Sequence, residues 1–162
     1  MLFAALSSAL VVRRGLSNDW VRMPLPRILY WNTAALAASS IILEWARRVL
    51  RAGRRTEFNT WWSAGTALGI LFLIGQAIAW SRLRAAGIFV STNPSSSFFY
   101  LFTAAHGLHV LGGIGALAYV DIQALCLQLG PGKRTAVDVS AWYWHFLGGL
   151  WLYLMLLFLF WG

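Results

Sequence analysis

The amino-acid sequence predicts an all-α fold, a polytopic bundle of about five transmembrane helices that form one membrane domain over residues 1–162. Of the 162 residues, 59% are apolar and only 11% are charged, whereas soluble domains carry about 25% charged residues. Four apolar segments are each about 20 residues or longer, the length that a helix needs to cross a bilayer. None of them alternates with a period of two, so a membrane-spanning barrel is not expected.

The first predicted helix covers residues 1–12 and is only partial. About 12 helical residues rise roughly 18 Å, whereas the hydrocarbon core of a bilayer is about 30 Å thick. We therefore expect the true start of this helix to lie upstream of Met1. Arg13 and Arg14 follow the apolar stretch rather than precede it, which does not fit a cleavable signal peptide.

Four full-length helices are predicted after it, at residues 28–49, 59–80, 96–120 and 140–161. Pro24 and Pro26 precede the first of these, and proline suits the start of a helix because an N–H there would have no helical partner. Asn93 and Pro94 precede the third, and Gly130-Pro131-Gly132 separates the last two. Such residues are typical of turns and helix starts.

The basic residues lie between the apolar segments. The net charge is +8, from 13 Lys and Arg against 5 Asp and Glu. Anionic lipid headgroups are the expected counter-charge for residues in such places, and nucleic acid is not predicted as a partner. The densest run extends from Arg47 to Arg55. Because basic loops favour the cytoplasmic side, the C-terminus is predicted to be periplasmic.

Three histidines lie inside predicted helices. His106 and His109 are three residues apart and share one helix face, a spacing that would suit two ligands of a metal or a haem. A metal site needs further oriented ligands, and His145 is the only other imidazole. The favoured interpretation is hydrogen bonding within or between helices, with no metal, cofactor or catalytic residue on this chain.

Glu44 precedes Arg47 and Arg48 by three and four residues. Ion pairs at these spacings stabilise a helix surface, so pairing is favoured over a role for Glu44 as a buried proton carrier. Asp138 is predicted to cap the last helix or to place a negative charge in its first turn.

Amide side chains and small residues are expected to connect the helices. Gln76 is predicted to form an interhelical hydrogen bond, and Asn32 is a further polar residue inside a predicted helix. Gly65 and Gly69 form a GxxxG pattern, and Gly148-Gly149 is a second small-residue site. Small residues let helices approach closely, within the bundle or against a partner.

The ten tryptophans are predicted to lie mainly at the two lipid–water interfaces, where Trp is enriched in membrane proteins. Arginines beside them would bind lipid headgroups. The candidate headgroup residues are Trp61, Trp62, Trp142, Trp144, Arg47, Arg48 and Arg134. The sequence shows no nucleophile triad, carboxylate pair or phosphate-binding loop, so we do not expect an enzyme by itself.

Four motifs resemble subunit III of the haem–copper terminal oxidases, the cytochrome c and quinol oxidase group. Two are specific, because they hold Trp and His at fixed spacing: the segment from Phe98-Phe99 to His106-Gly107-Leu108-His109-Val110, and the final helix with Trp142, Trp144 and His145. The other two are Pro24-Leu25-Pro26 with Asn32-Thr33 and Ser39-Ser40, and the stretch from Leu71 to Gln76-Ala77.

The resemblance implies the short, five-helix bacterial form of that family, in the cytoplasmic membrane with a periplasmic C-terminus. It implies that haem and copper lie in partner subunits, and that the complex reduces O₂ to water and pumps protons. Direct packing against subunit I, contact with subunit II and with small or supercomplex subunits, and bound phospholipid are also implied.

The chain departs from the family pattern at Gly148, where a carboxylate is common, and near Ala79, where a Glu is common. Two alternatives stay open at this point: an accessory membrane protein of a nitric oxide reductase system, and a standalone haem-binding membrane protein that uses His106 or His109 with His145. A small transporter is disfavoured because no inverted repeat is visible.

Overall fold

The computed structural model describes residues 1–16, 27–89, 94–126 and 134–161. In these ranges it contains five α-helices and no strand, which confirms the predicted all-α fold. The helices are α1 Leu2–Leu16, α2 Ile28–Arg51, α3 Arg55–Ala85, α4 Pro94–Leu125 and α5 Arg134–Trp161.

The helices extend beyond the apolar segments that predicted them. Helix α3 begins at Arg55 rather than at 59, and α5 begins at Arg134 rather than at 140. The apolar segments mark only the part of each helix that crosses the hydrocarbon. The helix itself continues into the polar interface as long as its backbone hydrogen bonds are made. The predicted breakers Pro24, Pro26 and Gly130-Pro131-Gly132, and Asn93 before α4, lie outside the described residues.

Glycines in the left-handed conformation end α2 and α3. Gly53 has φ +80° and Gly87 has φ +76°, values that a side chain with Cβ rarely adopts. After α2, the N–H of Arg54 donates to the carbonyl of Val49 (3.2 Å) and that of Gly53 to Leu50 (3.0 Å). This pattern is a Schellman motif, and it reverses the chain within a few residues so that α3 returns along α2.

Three of the described helices, α3, α4 and α5, are long and apolar enough to cross a membrane. Helix α1 has 15 residues, which rise about 22 Å. Helix α2 has 24 residues, but Glu44, Arg47 and Arg48 lie in its second half. The charged end of α2 is therefore expected at the membrane surface rather than in the hydrocarbon.

Close contacts at glycine join the helices. Gly65 of α3 faces Leu43 of α2, where an added Cβ would lie 2.7 Å from Leu43 Cδ2, and Ser39 Oγ donates to the Gly65 carbonyl at 2.8 Å. Gly69, one turn further, faces Trp144 of α5. The close packing predicted from the GxxxG pattern is confirmed, with a different neighbour at each glycine.

The largest side chains in the core of the bundle are aromatic. Large side chains that are completely or almost completely buried include Phe58, Trp62, Phe72, Phe99, Phe102, Trp144 and Trp151. Helix α2 packs on α3 and α5, and α4 packs on α3, α5 and α1. The outer surface carries apolar side chains such as Ile41, Leu108 and Phe160, which suits contact with lipid or with other transmembrane helices.

Candidate functional site

A buried arginine joins α2 to α5 near one end of the bundle. Arg47 Nε and Nη2 donate to Asp138 Oδ1 at 2.8 and 2.6 Å, and Nη1 donates to Glu44 Oε2 at 2.7 Å. The Arg47 side chain is only 7% exposed. Its guanidinium carbon also lies 5.8 Å from the centre of the Trp142 ring, within the range of a cation–π contact.

Two further arginines surround this buried group at the surface. Arg48 Nε lies 3.7 Å from Glu44 Oε1, and Arg51 Nη2 lies 3.6 Å from Asp138 Oδ1. His145 Nε2 lies 3.7 Å from Glu44 Oε2. All three distances exceed those of good hydrogen bonds. Exposed pairs of this kind contribute about 0–1 kcal/mol, so Arg47 is the energetic centre of the cluster.

Two predictions about this cluster are wrong. Arg47 was predicted to bind a lipid headgroup, but its guanidinium is buried and already holds two carboxylates. Asp138 was predicted to cap α5, but α5 begins at Arg134, so Asp138 lies in the second turn and accepts from Arg47 instead. The predicted ion pairs of Glu44 with Arg47 and Arg48 are both present.

The two histidines of α4 have different surroundings. His109 Nδ1 lies 2.7 Å from the Ala105 carbonyl, the intrahelical hydrogen bond that was predicted, and its ring meets Phe3 of α1 with centroids 5.6 Å apart. His106 is buried, stacked on Trp151 at 5.2 Å and edge-on to Phe72 at 6.1 Å.

Neither ring nitrogen of His106 has a hydrogen-bond partner among the residues that the structure describes. The hydrogen bond predicted for His106 is therefore wrong for the described residues, and the imidazole instead packs against the rings of Trp151 and Phe72. The described residues also contain no group of three or more His, Cys, Asp or Glu side chains that could hold a metal ion.

Gln76 of α3 is a second unpaired polar group in the core. Its side chain is buried, and neither amide atom has a partner within the described part of the chain. The predicted interhelical hydrogen bond of Gln76 is therefore wrong. Asn32 makes a long contact, 3.4 Å from Nδ2 to the Phe72 carbonyl.

Replacing Gln76 by methionine is expected to stabilise the bundle, because methionine keeps the length of the side chain and removes an unpaired amide. Such a buried group costs about 1–3 kcal/mol. An equilibrium SDS titration of the full chain in mixed micelles, followed by circular dichroism, would measure the change in the free energy of unfolding.

Thr103→Val is the control for Gln76→Met. The Thr103 hydroxyl donates to the Phe99 carbonyl at 2.7 Å and accepts from Trp80 Nε1 at 3.2 Å, so its loss is expected to destabilise the chain. A loss of stability in Gln76→Met would contradict the prediction and would mean that the amide has a partner.

The four tryptophans predicted at headgroups divide into two pairs. Trp61 and Trp142 have exposed side chains, so their contact with headgroups stays a prediction, as does that of the exposed Arg134. Trp62 and Trp144 are completely buried, and the prediction is wrong for both. Trp62 Nε1 donates to the Leu117 carbonyl at 3.1 Å.

Trp144 is buried because glycines leave room for its ring. An added Cβ at Gly69 would lie 2.6 Å from Trp144 Cη2, and one at Gly113 would lie 3.2 Å from Trp144 Cε3. Helices α3 and α4 thus enclose the indole from two sides.

A groove on the outer surface between α2 and α5 was not predicted. Its apolar part has a volume of about 370 Å³, and its polar end about 410 Å³. Both parts share Ser40, Ile41 and His145, so we treat them as one α2–α5 groove. Its other lining residues include Leu36, Gly148, Gly149, Leu152, Glu44, Trp45 and Arg48.

The Gly148-Gly149 pair was the sequence signal for this groove, although it was interpreted as helix packing. An added Cβ at Gly149 would meet nothing within 4 Å, and one at Gly148 would meet only Ser40 Oγ, at 3.5 Å. In the described part of the chain, these glycines therefore leave a space instead of admitting a helix.

The sequence matches the family described as Cytochrome c oxidase subunit III over residues 2–162. The chain belongs to the cytochrome c oxidase subunit III family. This confirms the resemblance, and with it an accessory role in an oxidoreductase complex without catalysis by the chain itself. The family's two most specific motifs lie on α4 and α5, where His106 and Trp144 pack in the core.

Proteins of bacteria and mammals are similar to this chain. It is 30% identical over 156 residues to the probable cytochrome c oxidase subunit 3 of Nocardia farcinica. The matched residues cover 94% of this chain and 77% of that protein. It is 32% identical over 131 residues to the cytochrome c oxidase subunit 3 of Dugong dugon. The matched residues cover 81% of this chain and 49% of that protein. The chain thus spans about half of the length of this mammalian relative.

Proposed function

We propose that this chain is the non-catalytic, lipid-binding subunit III of a respiratory haem–copper oxidase in a bacterial cytoplasmic membrane. The family match over residues 2–162 carries the proposal. The apolar outer surface and three helices long enough to span a membrane support it. The complex would reduce O₂ to water and pump protons, and the haem and copper would lie in the partner subunits.

Direct packing against subunit I is the main contact that we propose, with subunit II and small or supercomplex subunits as further neighbours. Outward-facing apolar side chains support it, because transmembrane helices associate through van der Waals packing. They include Ile70, Ile74 and Ile78 of α3 and Leu108 and Leu111 of α4.

The membrane orientation follows from charge. Arg48, Arg51, Arg54 and Arg55 lie where α2 ends and α3 begins, and all four are exposed. Short basic connections favour the cytoplasmic side, so we propose that this end is cytoplasmic and that the C-terminus of α5 is periplasmic. Trp61, Trp142 and Arg134 lie toward the same end and would contact lipid headgroups there.

No specific observation favours the nitric oxide reductase alternative. A standalone haem carrier is disfavoured because Trp151 and Phe72 enclose His106, and His109 faces Phe3 instead.

Purification of the tagged chain in mild detergent tests the proposal. We expect the eluate to contain a haem protein and a copper subunit, identified by optical spectrum and mass spectrometry, and the chain separated from them to be colourless. A chain that elutes alone and keeps a haem absorption band would overturn the proposal. An unrelated multi-pass membrane protein with the same tag controls for non-specific capture.

A further inference from the structure

A second pocket opens on the outer surface between α3 and α4. It has a volume of about 290 Å³, and we call it the α3–α4 pocket. Its wall is mainly apolar and includes three small residues, Ala77 of α3 and Ala104 and Gly107 of α4. An added Cβ at Gly107 would meet nothing of the described chain within 4 Å. Small residues on the outer surface of a bundle let another helix approach closely in lipid.

Gln76 is a polar side chain in the wall of this pocket. It is only 5% exposed, and neither its amide oxygen nor its amide nitrogen has a hydrogen-bond partner within the described residues. The other polar groups of the wall are paired with each other, since Trp80 Nε1 donates to Thr103 Oγ1 at 3.2 Å. The pocket therefore holds one unused amide, a group that can both donate and accept.

Gln76 lies at a depth where lipid cannot satisfy its amide. It precedes the exposed Arg82 by six residues, which is about 9 Å along the helix, and α3 is long and apolar enough to span a membrane. Acyl chains have no hydrogen-bonding groups, and an unsatisfied polar group is costly in hydrocarbon. The unpaired amide therefore favours a protein partner over a lipid chain at this place.

We propose that the α3–α4 pocket is the docking site for a transmembrane helix of a partner subunit, which inserts an amide or hydroxyl side chain and pairs it with Gln76. Such a side chain both donates and accepts, so one group would satisfy both the oxygen and the nitrogen of the Gln76 amide. The amide would turn about its side-chain bonds on docking, because its polar atoms are covered in the free chain. The proposal rests on the proposed function, since it names a contact through which this chain would join the oxidase complex.

The size of the pocket suits a side chain with its helix outside. A cube of 290 Å³ has an edge of about 7 Å, whereas a helix with its side chains is about 10–12 Å wide. Exposed apolar side chains lie on the same two helices, Ile74 and Ile78 on α3 and Leu108 and Leu111 on α4. They would pack against the partner helix while its polar side chain enters the pocket.

Gln76→Met separates docking from folding, because its two expected effects have opposite signs. Methionine removes an unpaired amide, so the chain by itself should gain stability, as argued for this variant above. The same change removes the proposed hydrogen bond to the partner, so association should weaken by about 3- to 30-fold, the range of single interhelical hydrogen bonds in membranes. A residue that only supported the fold would change both quantities in the same direction.

Competition between two tagged chains measures the association. The unsubstituted chain and a variant, with different tags, would be expressed together in cells that make the oxidase, extracted in mild detergent and separated by size into complexed and free fractions. Mass spectrometry of each fraction would give the ratio of the two chains and count the accompanying subunits and phospholipids.

Gly107→Leu is the second variant, because its side chain would fill the pocket. Gly149→Leu, in the α2–α5 groove, is the matched control. At both glycines an added Cβ would meet nothing of the described chain within 4 Å, so neither leucine is expected to disturb the fold.

We expect Gln76→Met and Gly107→Leu to be depleted from the complexed fraction, and Gly149→Leu to compete equally with the unsubstituted chain. Equal competition by Gln76→Met would overturn the docking site, as would equal depletion of Gly107→Leu and Gly149→Leu. A Gln76→Met chain that loses both stability and association would show a structural role and would also overturn it.

Two other occupants of the pocket have their own outcomes. If Gln76→Met loses only a phospholipid, or only the pairing of the two tags in one complex, then a lipid or a second copy of this chain fills the pocket and the proposal is overturned. Haem in the complexed fraction reports separately on the proposed function. If the unsubstituted chain forms no complex at all, both proposals are overturned.

Discussion

Replacing Asp138 by alanine is expected to destabilise the bundle by about 3 kcal/mol, because it leaves a buried arginine without its main partner. Loss of one member of a buried ion pair typically costs about 3–5 kcal/mol. The lower end applies here, since Arg47 would keep its 2.7 Å hydrogen bond to Glu44. The free energy of unfolding would again come from SDS titration of the full chain.

The double variant Arg47→Met/Asp138→Ala makes this prediction specific. Arg47 is the buried member of the pair, with 7% of its side chain exposed against 43% for Asp138. Removing both residues also removes the buried cation that Asp138→Ala leaves with Glu44 as its remaining partner, so the double variant should be more stable than Asp138→Ala alone. If it is less stable, the cost would come from lost packing and not from the lost partner of Arg47.

Glu57→Ala is the control for Asp138→Ala. Glu57 pairs with Arg54 through two hydrogen bonds, but both side chains are largely exposed. Exposed ion pairs contribute about 0–1 kcal/mol. Glu57→Ala should therefore lower the free energy of unfolding much less than Asp138→Ala does.

Replacing Trp144 by alanine is expected to cost about 3–5 kcal/mol, the range for large aromatic side chains removed from a close-packed interior. The ring fills the space between Gly69 and Gly113, and the neighbouring helices cannot close the cavity without moving. In a membrane protein the loss is mainly one of van der Waals contacts.

Trp142→Ala is the matched control, two residues away on the same helix. Trp142 is 66% exposed, and its contact with Arg47 is a cation–π pair that contributes about 0.5–1 kcal/mol. If Trp142→Ala and Trp144→Ala lower the free energy of unfolding equally, that result would contradict the burial of Trp144 and the exposure of Trp142.

Two compensating substitutions, one on α3 and one on α5, test the contact between Gly69 and Trp144. Gly69→Ala alone should cost about 1–3 kcal/mol through overpacking, because its Cβ would lie 2.6 Å from Trp144 Cη2. Phenylalanine lacks the outer ring atoms of tryptophan. The double variant Gly69→Ala/Trp144→Phe should therefore be more stable than the sum of the two single changes predicts.

The sequence could predict the helices because each one is long and apolar, a property of consecutive residues. It could not predict the neighbours of a given side chain. Trp61 and Trp62 are adjacent in the sequence, but successive residues on a helix differ by about 100° in direction. One indole is therefore exposed and the other is buried, and only the packing of α3 against α4 decides which.

The contacts of the polar residues are also of two kinds, those that local spacing predicts and those that depend on helix packing. Glu44 and Arg47 pair within one helix turn, so their spacing alone was sufficient to predict the ion pair. The contact of Arg47 with Asp138 joins residues 91 positions apart, and no local pattern encodes it. His106 and Gln76 were predicted to form hydrogen bonds because buried polar groups usually do, but aromatic packing around His106 left it without a partner in the described residues.

By itself the sequence determined the all-α membrane fold, the family and the ion pair within α2, because composition, apolar length and motif spacing are properties of the chain. Only the tertiary structure decided that Arg47 and Trp144 are buried and that Gly149 opens a groove. These features depend on which faces of α2, α3, α4 and α5 meet, and that depends on the shapes of side chains far apart in the sequence.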